Sequence, residues 1–372
     1  MSANSNKELK LLAGAALEFA KKELAPNREN NDRFPFGPFW NPVLEKAFEL
    51  DFFHTTLPEE FSGIGQGMSS LCTVLENISQ EDASLAGIIF TNTQAQEIMR
   101  IAKSDGLLKK AGNAKTVKEF LIAFPAFNNP SEVEHVASAS KSGDGYTVSG
   151  GIEYVVLGGM AAQAVIPARL DGQDGYSFFF VDLSANGINR SDPVFSLGFH
   201  ACPAVDMTFN NVKAALIGEE GRGQEYFEKM ADRMSVAAAA ISLGIMKGSL
   251  KEALDYCTKR FQGGREIIKW SEMKMILGNM AVMTKNAELI LSAACGATDA
   301  GKNGWEQCCR AAAIHIQEMA CDLTTDGIQV LGGVGYMKDF GQEKRFRDAK
   351  QAQSLLGMAS LKKVQYLESI AG

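Results

Sequence analysis

The sequence predicts an α+β chain built in the order helices, β-strands, helices, and three observations predict it. From residue 1 to about 118, apolar residues recur at three- and four-residue steps, which places them on one face of a helix. From 119 to 218 that recurrence gives way to short runs of β-branched and aromatic residues, separated by Gly, Asn, Asp and Ser. From 219 to 372 the helical spacing returns and lengthens.

The N-terminal helical part, 1–118, rests on "ELKLLAGAALEFAKKELA" and "MSSLCTVLENISQEDASLAGIIF". Between them "LPEEFSGIGQ" carries Pro and Gly and reads as a loop. The middle part, 119–218, contains "GYTVSGGIEYVVLGG", "AAQAVIPARL", "GYSFFFVDL" and "AVDMTFNNVKAALIG", the texture of an all-β module. The third part, 219–372, opens on "YFEKMADRMSVAAAAISLGIMKGSLKEALDYCTKRF". Its Ala237 to Ala240, Gly244 and Gly248 leave room for neighbouring helices to approach closely. Helices continue to the C-terminus with one break at "LGGVGYMKDFGQE".

Bulk properties exclude several function classes. A net charge of −7 and a pI near 5.4 do not supply the basic surface that nucleic acid requires. No apolar run reaches the roughly 18 residues of a membrane span. "MSANSNKELK" lacks the apolar core of a secretory signal, so a cytoplasmic location is expected. The seven cysteines form no C-x-x-C pair and are expected to be reduced thiols, and no metal-ligand spacing is present.

Several stretches, in register along nearly the whole chain, resemble the acyl-CoA dehydrogenase family. They are "LPEEFSGIGQ" with "VLENISQEDASLA", "LGFHACPAVDMTFNNV" with "IGEEGRG", "YCTKRFQGGREI", and "DGIQVLGGVGYMKDFGQEKRFRDAK". The resemblance implies an N-terminal helical domain, a middle β-barrel-like domain and a C-terminal four-helix domain. It also implies FAD as cofactor, an acyl-CoA thioester as substrate, a dimer or tetramer sharing FAD between subunits, and an electron-transferring flavoprotein as electron acceptor. The family reaction removes a proton from Cα while a hydride passes from Cβ to the flavin, and a glutamate is the usual base.

In many family members that glutamate lies in a "YEGT" segment after "RDAK". Here "RDAKQAQSLLGM" puts Leu356 at the glutamate position, retains Gly357, and puts Met358 at the threonine position. Leu356 accepts no proton, although its backbone N–H could polarise a thioester carbonyl. A carboxylate beside a thioester needs a dry pocket to act as base. Other members carry the base directly before an arginine on an early C-terminal helix, and Asp232-Arg233 matches that dipeptide. Asp232 thus has two readings, base or first-turn helix residue. Arg233 is either a CoA-side or base-side arginine or part of an ion pair. The aspartate often found three residues before this arginine is Met230 here.

For the flavin, the resemblance implies two sets of contacts. Within one subunit, Tyr154 and Val156 occupy the Trp and hydroxyl positions of one strand, and "AFPAFNNPSEVEHV" replaces a Thr- and Gly-bearing loop. Tyr154 can stack on a flavin face or pack in the barrel; Val156 offers no hydrogen bond. Toward the neighbouring subunit's FAD, Arg260, Gln262, Gln329, Gly332, Gly333 and Gly335 fill the family positions, with Gly263 and Glu266 as departures. Arg charge suits a pyrophosphate, and glycine allows close backbone approach, although the same glycines also suit a turn between helices. The chain is therefore expected to be a subunit of a flavin-dependent dehydrogenase of acyl-CoA thioesters, homomeric or paired with a related chain to whose FAD it contributes. The alternatives are an active homomeric enzyme with Asp232 as base, and a binding or scaffold protein without flavin chemistry.

Overall fold

Residues 3–34, 40–133, 136–143 and 145–371 are described by the structure, a computed structural model. The first part is helical: α1 (Ala3–Phe19), α2 (Arg28–Asn31), α3 (Trp40–Glu49), α4 (Met68–Ser79), α5 (Ala83–Ile101), α6 (Asp105–Gly112) and α7 (Val117–Phe120). Helix α5 is buried along almost its whole length, and Asp82 caps it by accepting from the Ser84 N–H at 2.8 Å. The first turn of α4 is capped from far away in sequence. Asp299 accepts from the N–H groups of Met68 and Ser69 at 2.7 and 3.0 Å. Its charge also complements the positive end of α4.

The middle part is a closed barrel. Strands β1 (Ile122–Ala123), β2 (Ala137–Ser142), β3 (Gly145–Val156), β4 (Gln163–Leu170), β5 (Ser177–Asp182), β6 (Ile188–Arg190) and β7 (Ala204–Ile217) form one sheet. Pairing runs β4–β2–β3–β7–β5 and returns from β5 to β4, so these five strands make a ring without a free edge. The β2–β4 pair is parallel and the other ring contacts are antiparallel. Strand β3 breaks register against β7 between Ile152 and Val155. The break places Tyr154 at φ 56°, an uncommon conformation for a bulky residue. Its N–H is held by Asp206 at 2.9 Å. A bulge of this kind re-aims a side chain, here the Tyr154 ring.

The third part comprises α8 (Gly223–Lys259), the hairpin β8 (Phe261–Gln262) and β9 (Arg265–Glu266), α9 (Ser271–Asp299), α10 (Trp305–Leu331), α11 (Gln342–Ala352) and α12 (Ala359–Ala371). Helix α8 packs on α4 through its small residues. A Cβ on Gly244 would lie 2.3 Å from the Glu76 carbonyl oxygen, and one on Gly248 would lie 2.1 Å from that of Gln80. The sequence Ala237 to Gly248 therefore works as the close-approach face expected of it. Among the described residues no helix is long and apolar enough to cross a membrane, and no group of His, Cys, Asp and Glu is arranged to hold a metal.

Three parts of the chain meet at His200. Its Nδ1 faces the Asp32 carbonyl at 2.8 Å and Asp32 Oδ1 at 3.0 Å, and Nε2 faces the Ser196 carbonyl at 2.9 Å. Acceptors on both ring nitrogens require the imidazolium. Burial alone lowers His200, but Asp32 outweighs it and holds the ring above its ordinary value of 6.5. Asp32 also binds Arg347, which in turn pairs with Glu343. A His raised on folding contributes stability that is full below its unfolded pKa and lost as pH rises through the folded value. Denaturation midpoints are therefore expected to fall as pH rises above about 6.5, the ordinary His value. His200→Gln should flatten that limb; an unchanged pH profile in the variant would exclude His200 as its source.

Candidate functional site

Two cavities lie on either side of the turn that follows α11, and a third groove lies at the far end of α10. The first cavity, 490 Å³, is enclosed by α8, α10, α12 and residues 355–356. Phe227, Ala231, Ala238, Ala313 and Ile314 give it an apolar wall, while Gln317, Arg310 and Lys362 add polar groups. The second, 690 Å³, lies on the barrel and is lined by Phe127, Ile152, Glu153, Tyr154, Gln351 and Met358, among others.

The turn between them is strained and fully hydrogen-bonded. Leu356 has φ 68° and Gly357 φ 120°. The conformation at Gly357 is closed to residues with a β-carbon, which explains why glycine is present where the neighbouring side chains differ from the family's. The Leu356 N–H donates to the Ala126 carbonyl at 3.2 Å and the Met358 N–H to Glu132 Oε2 at 2.9 Å. Leu356 is thus not a free oxyanion donor, contrary to the sequence-based expectation. Glu132 also accepts from Gln365 Nε2 at 3.2 Å, so the loop 126–132 is fastened across the turn. Asn129, Leu355 and Leu356 line one cavity and Asn128, Pro130, Ser354 and Met358 the other, making this fastened loop the wall between them.

Asp232 does not line the cavity beside Leu356. Helix α8 turns Ala231, Ser235 and Ala238 into it, and Asp232 faces a separate groove with Asn303, Glu306 and Gln307. There it forms an ion pair with Arg310. Burial pushes its carboxyl upward, and Arg310 only partly opposes this. Arg233 points to the other side of α8, against the buried Glu97 at 3.4 Å, which Arg100 also binds. The dipeptide is divided between two ion pairs rather than gathered at one reacting centre.

On the barrel, burial pushes the Tyr154 phenol up to about 12, so it stays neutral; its oxygen accepts from Gln351 Nε2 at 3.2 Å. Its ring stands edge-on to Phe127, with centroids 5.5 Å apart. Val156 is fully buried, and its N–H and carbonyl are both paired with Phe124 at 3.0 and 3.1 Å. This removes Val156 from the expected cofactor contacts. Three prolines line the cavity (Pro125, Pro130 and Pro167), and they have no N–H to donate. Among the described residues the only charged lining residue is Glu153. Aromatic walls suit a flavin ring, while the described part of this lining offers a pyrophosphate no cation.

The groove at the end of α10, 390 Å³, is the opposite case. Arg260, Gln262, Trp270, Leu331 and Gly332 line it, together with one carboxylate, Glu272, that forms no ion pair with Arg260. Among the described residues no carboxylate lies within ion-pair distance of the exposed Arg260. Cβ atoms on Gly332 and Gly333 would meet nothing within 4 Å, so a ligand can approach that backbone directly. Gln329 is exposed beside them, while Gly335 is a packing residue whose Cβ would lie 2.3 Å from the Ile328 carbonyl. Trp270 donates to the Gln262 carbonyl at 3.3 Å and carries the Arg265 guanidinium 4.4 Å from its ring. A free guanidinium, open glycine backbone and an aromatic face fit the anionic and planar parts of a dinucleotide. Glu132, Lys362 and Trp270 had no signal in sequence, because their neighbours come from distant segments.

Comparison with known proteins agrees with this architecture. Residues 6–105 match the family model for the acyl-CoA dehydrogenase N-terminal domain, and residues 221–362 match that for the C-terminal domain. The chain is 26% identical to a 3-(aryl)acrylate reductase of Clostridium sporogenes, over 91% of this chain and 92% of the relative. It is 26% identical to a cyclohexane-1-carbonyl-CoA dehydrogenase of Geobacter metallireducens, over 97% of each. The solved butyryl-CoA dehydrogenase of Megasphaera elsdenii superposes with a TM-score of 0.86 at 21% identity, over 98% of each chain, a likeness of fold.

Proposed function

Because this chain belongs to the acyl-CoA dehydrogenase family, a family of FAD-dependent enzymes, we propose that it is a subunit of an acyl-CoA dehydrogenase whose FAD-bearing, proton-accepting site lies on a related neighbouring subunit. One observation carries this reading: hydrogen-bonding groups are spent at the turn after α11 and free on the α10 side. At the turn between the barrel cavity and the helical one, the Leu356 and Met358 N–H groups donate to the Ala126 carbonyl and to Glu132. On the α10 side Arg260 lines an open groove without a carboxylate partner among the described residues.

When bound, FAD accepts a hydride from Cβ of an acyl thioester. The contribution of this chain is to hold the cofactor. Arg260 offers charge to the pyrophosphate, Gln262 and Gln329 offer amides, and Gly332 and Gly333 admit the ligand to the backbone. An acyl-CoA thioester is the substrate of the assembled enzyme, and an electron-transferring flavoprotein removes the electrons. The alternative, a homomeric enzyme with Asp232 as base, draws support from the upward push on that carboxyl and is opposed by its Arg310 partner.

The test is absorbance in the flavin bands. The chain purified alone should be colourless, and co-expression with a homologous dehydrogenase subunit should yield a yellow complex. Stoichiometric FAD on the isolated chain, bleached by an acyl-CoA, would overturn the reading.

A further inference from the structure

The turn that follows α11 spends its backbone polar groups within the chain. The carbonyl of Ala352 accepts from Gln317 Nε2 at 2.7 Å, and those of Gln353 and Leu355 accept from Lys362 Nζ at 2.8 and 3.0 Å. The N–H groups of Leu356 and Met358 go to the Ala126 carbonyl at 3.2 Å and to Glu132 Oε2 at 2.9 Å. The Gly357 N–H closes on the Ser354 carbonyl at 3.2 Å. Three distant segments, α10, α12 and the loop 126–132, thus satisfy one short turn.

The loop is shaped for this contact. Asn129 Oδ1 accepts from the Ser131 N–H at 3.0 Å, and the Asn129 carbonyl accepts from the Glu132 N–H at 2.9 Å. Ala126 and Phe127 anchor it in the interior, with the Phe127 ring centroid 5.5 Å from that of Tyr154 and 6.0 Å from that of Phe199. Gly357 completes the fit. A Cβ there would lie 2.9 and 3.0 Å from the two carboxylate oxygens of Glu132, so glycine is what lets the carboxylate come this close. The fastening is nonetheless one that water can replace. The donors to Glu132 are neutral: the Met358 N–H, Gln365 Nε2 at 3.2 Å and Asn129 Nδ2 at 3.4 Å. Glu132 is half-buried and Met358 is exposed.

We propose that the loop 126–132 is an autoinhibitory seal latched by Glu132. With the seal closed, the aromatic barrel cavity and the apolar helical cavity stay apart. A ring in one cannot then approach a ligand in the other to the roughly 3–3.5 Å that reaction requires. With the seal open, the two cavities join, and the Leu356 and Met358 N–H groups become donors. They suit a planar ring that carries carbonyl oxygens and ring nitrogens, as a flavin ring does. That the seal silences this chain's own site rests on the function proposed above; that it closes the turn rests on Glu132.

Riboflavin carries the ring without the pyrophosphate, for which the described barrel lining offers no cation, and it is the probe for the complete purified chain. Two readings are taken: hydrogen–deuterium exchange of the peptide covering 354–358, and riboflavin affinity from fluorescence quenching. Glu132→Ala should speed exchange of that peptide roughly tenfold or more, the scale of one hydrogen bond to a charged group. It should also tighten riboflavin binding by about the same factor, as two donors are released. Glu132→Gln keeps a carbonyl acceptor and should stay close to the unaltered chain in both readings. Unchanged exchange in Glu132→Ala overturns the latch. Faster exchange without tighter riboflavin binding overturns the inhibitory role and leaves the loop a structural wall. Neither result touches the function proposed above, which fails instead on stoichiometric FAD bound to the unaltered chain. Should Glu132→Ala fail to fold, Gln365→Ala cuts one arm of the latch and is judged by the same two readings.

Discussion

Arg260→Ala is expected to strip flavin from an assembled complex while leaving this chain folded. The guanidinium is exposed, lines an open groove and has no described carboxylate partner, so its removal costs the fold little. A charge-assisted hydrogen bond is worth about 1.5–3 kcal/mol, so the FAD dissociation constant should rise roughly 10- to 100-fold. Gln262→Ala removes a neutral donor in the same groove and should act in the same direction by about 0.5–1.5 kcal/mol. Flavin retained after gel filtration, read from its visible absorbance, measures both. The comparison variant is Tyr154→Ala, in the barrel cavity. Flavin lost with Arg260→Ala and retained with Tyr154→Ala supports contribution to a neighbour's cofactor. The reverse pattern would mean that the barrel cavity binds FAD itself, and the proposed division of labour would fail.

The order helices, barrel, helices was legible because each element writes its own period into the sequence. The small residues of α8 were legible for the same reason: Gly244 and Gly248 lie on one helical face, and that face is the one against α4. The groove residues could be aligned by spacing, since Arg260 and Gln262 follow one helix and Gln329 to Gly333 end another. Barrel closure was not legible. No local pattern states that β4 pairs parallel with β2 and antiparallel with β5. The direction of Asp232 was also hidden. One residue of helix is about 100° of rotation, and that rotation separates Ala231, in the cavity, from Asp232, beside Arg310. Glu132 and Lys362 act through partners on other segments. The carboxylate that meets the Met358 N–H comes from a barrel loop 226 residues earlier, a juxtaposition that only the fold creates.

Asp348→Ala is expected to be among the most destabilising single substitutions in the chain, about 3–5 kcal/mol, because it breaks a buried ion cluster from one side. Asp348 accepts from the Phe199 N–H at 2.8 Å and from Lys344 Nζ at 2.6 Å. Lys344 also reaches Asp82, the cap of α5, at 3.2 Å. The side chains of Asp82, Lys344 and Asp348 are 0, 4 and 2% exposed, so water cannot replace a lost partner. Burial alone would lower Lys344, but the facing carboxylates hold it well above its ordinary value. Removing Asp348 leaves that ammonium with half its compensation and orphans the Phe199 N–H. Phe199 has φ 52°, so the loop that presents His200 also loses the bond that stabilises its uncommon conformation. Lys344→Met should destabilise less than its charge suggests, since a protonated carboxyl can relieve the two facing acids. The double variant should cost less than the sum of the singles, with a coupling of about 0.5–3 kcal/mol. Chemical denaturation of the four proteins measures the cycle. Additive effects would mean that Lys344 and Asp348 act independently, and that the α11 anchor between barrel and helices lies elsewhere.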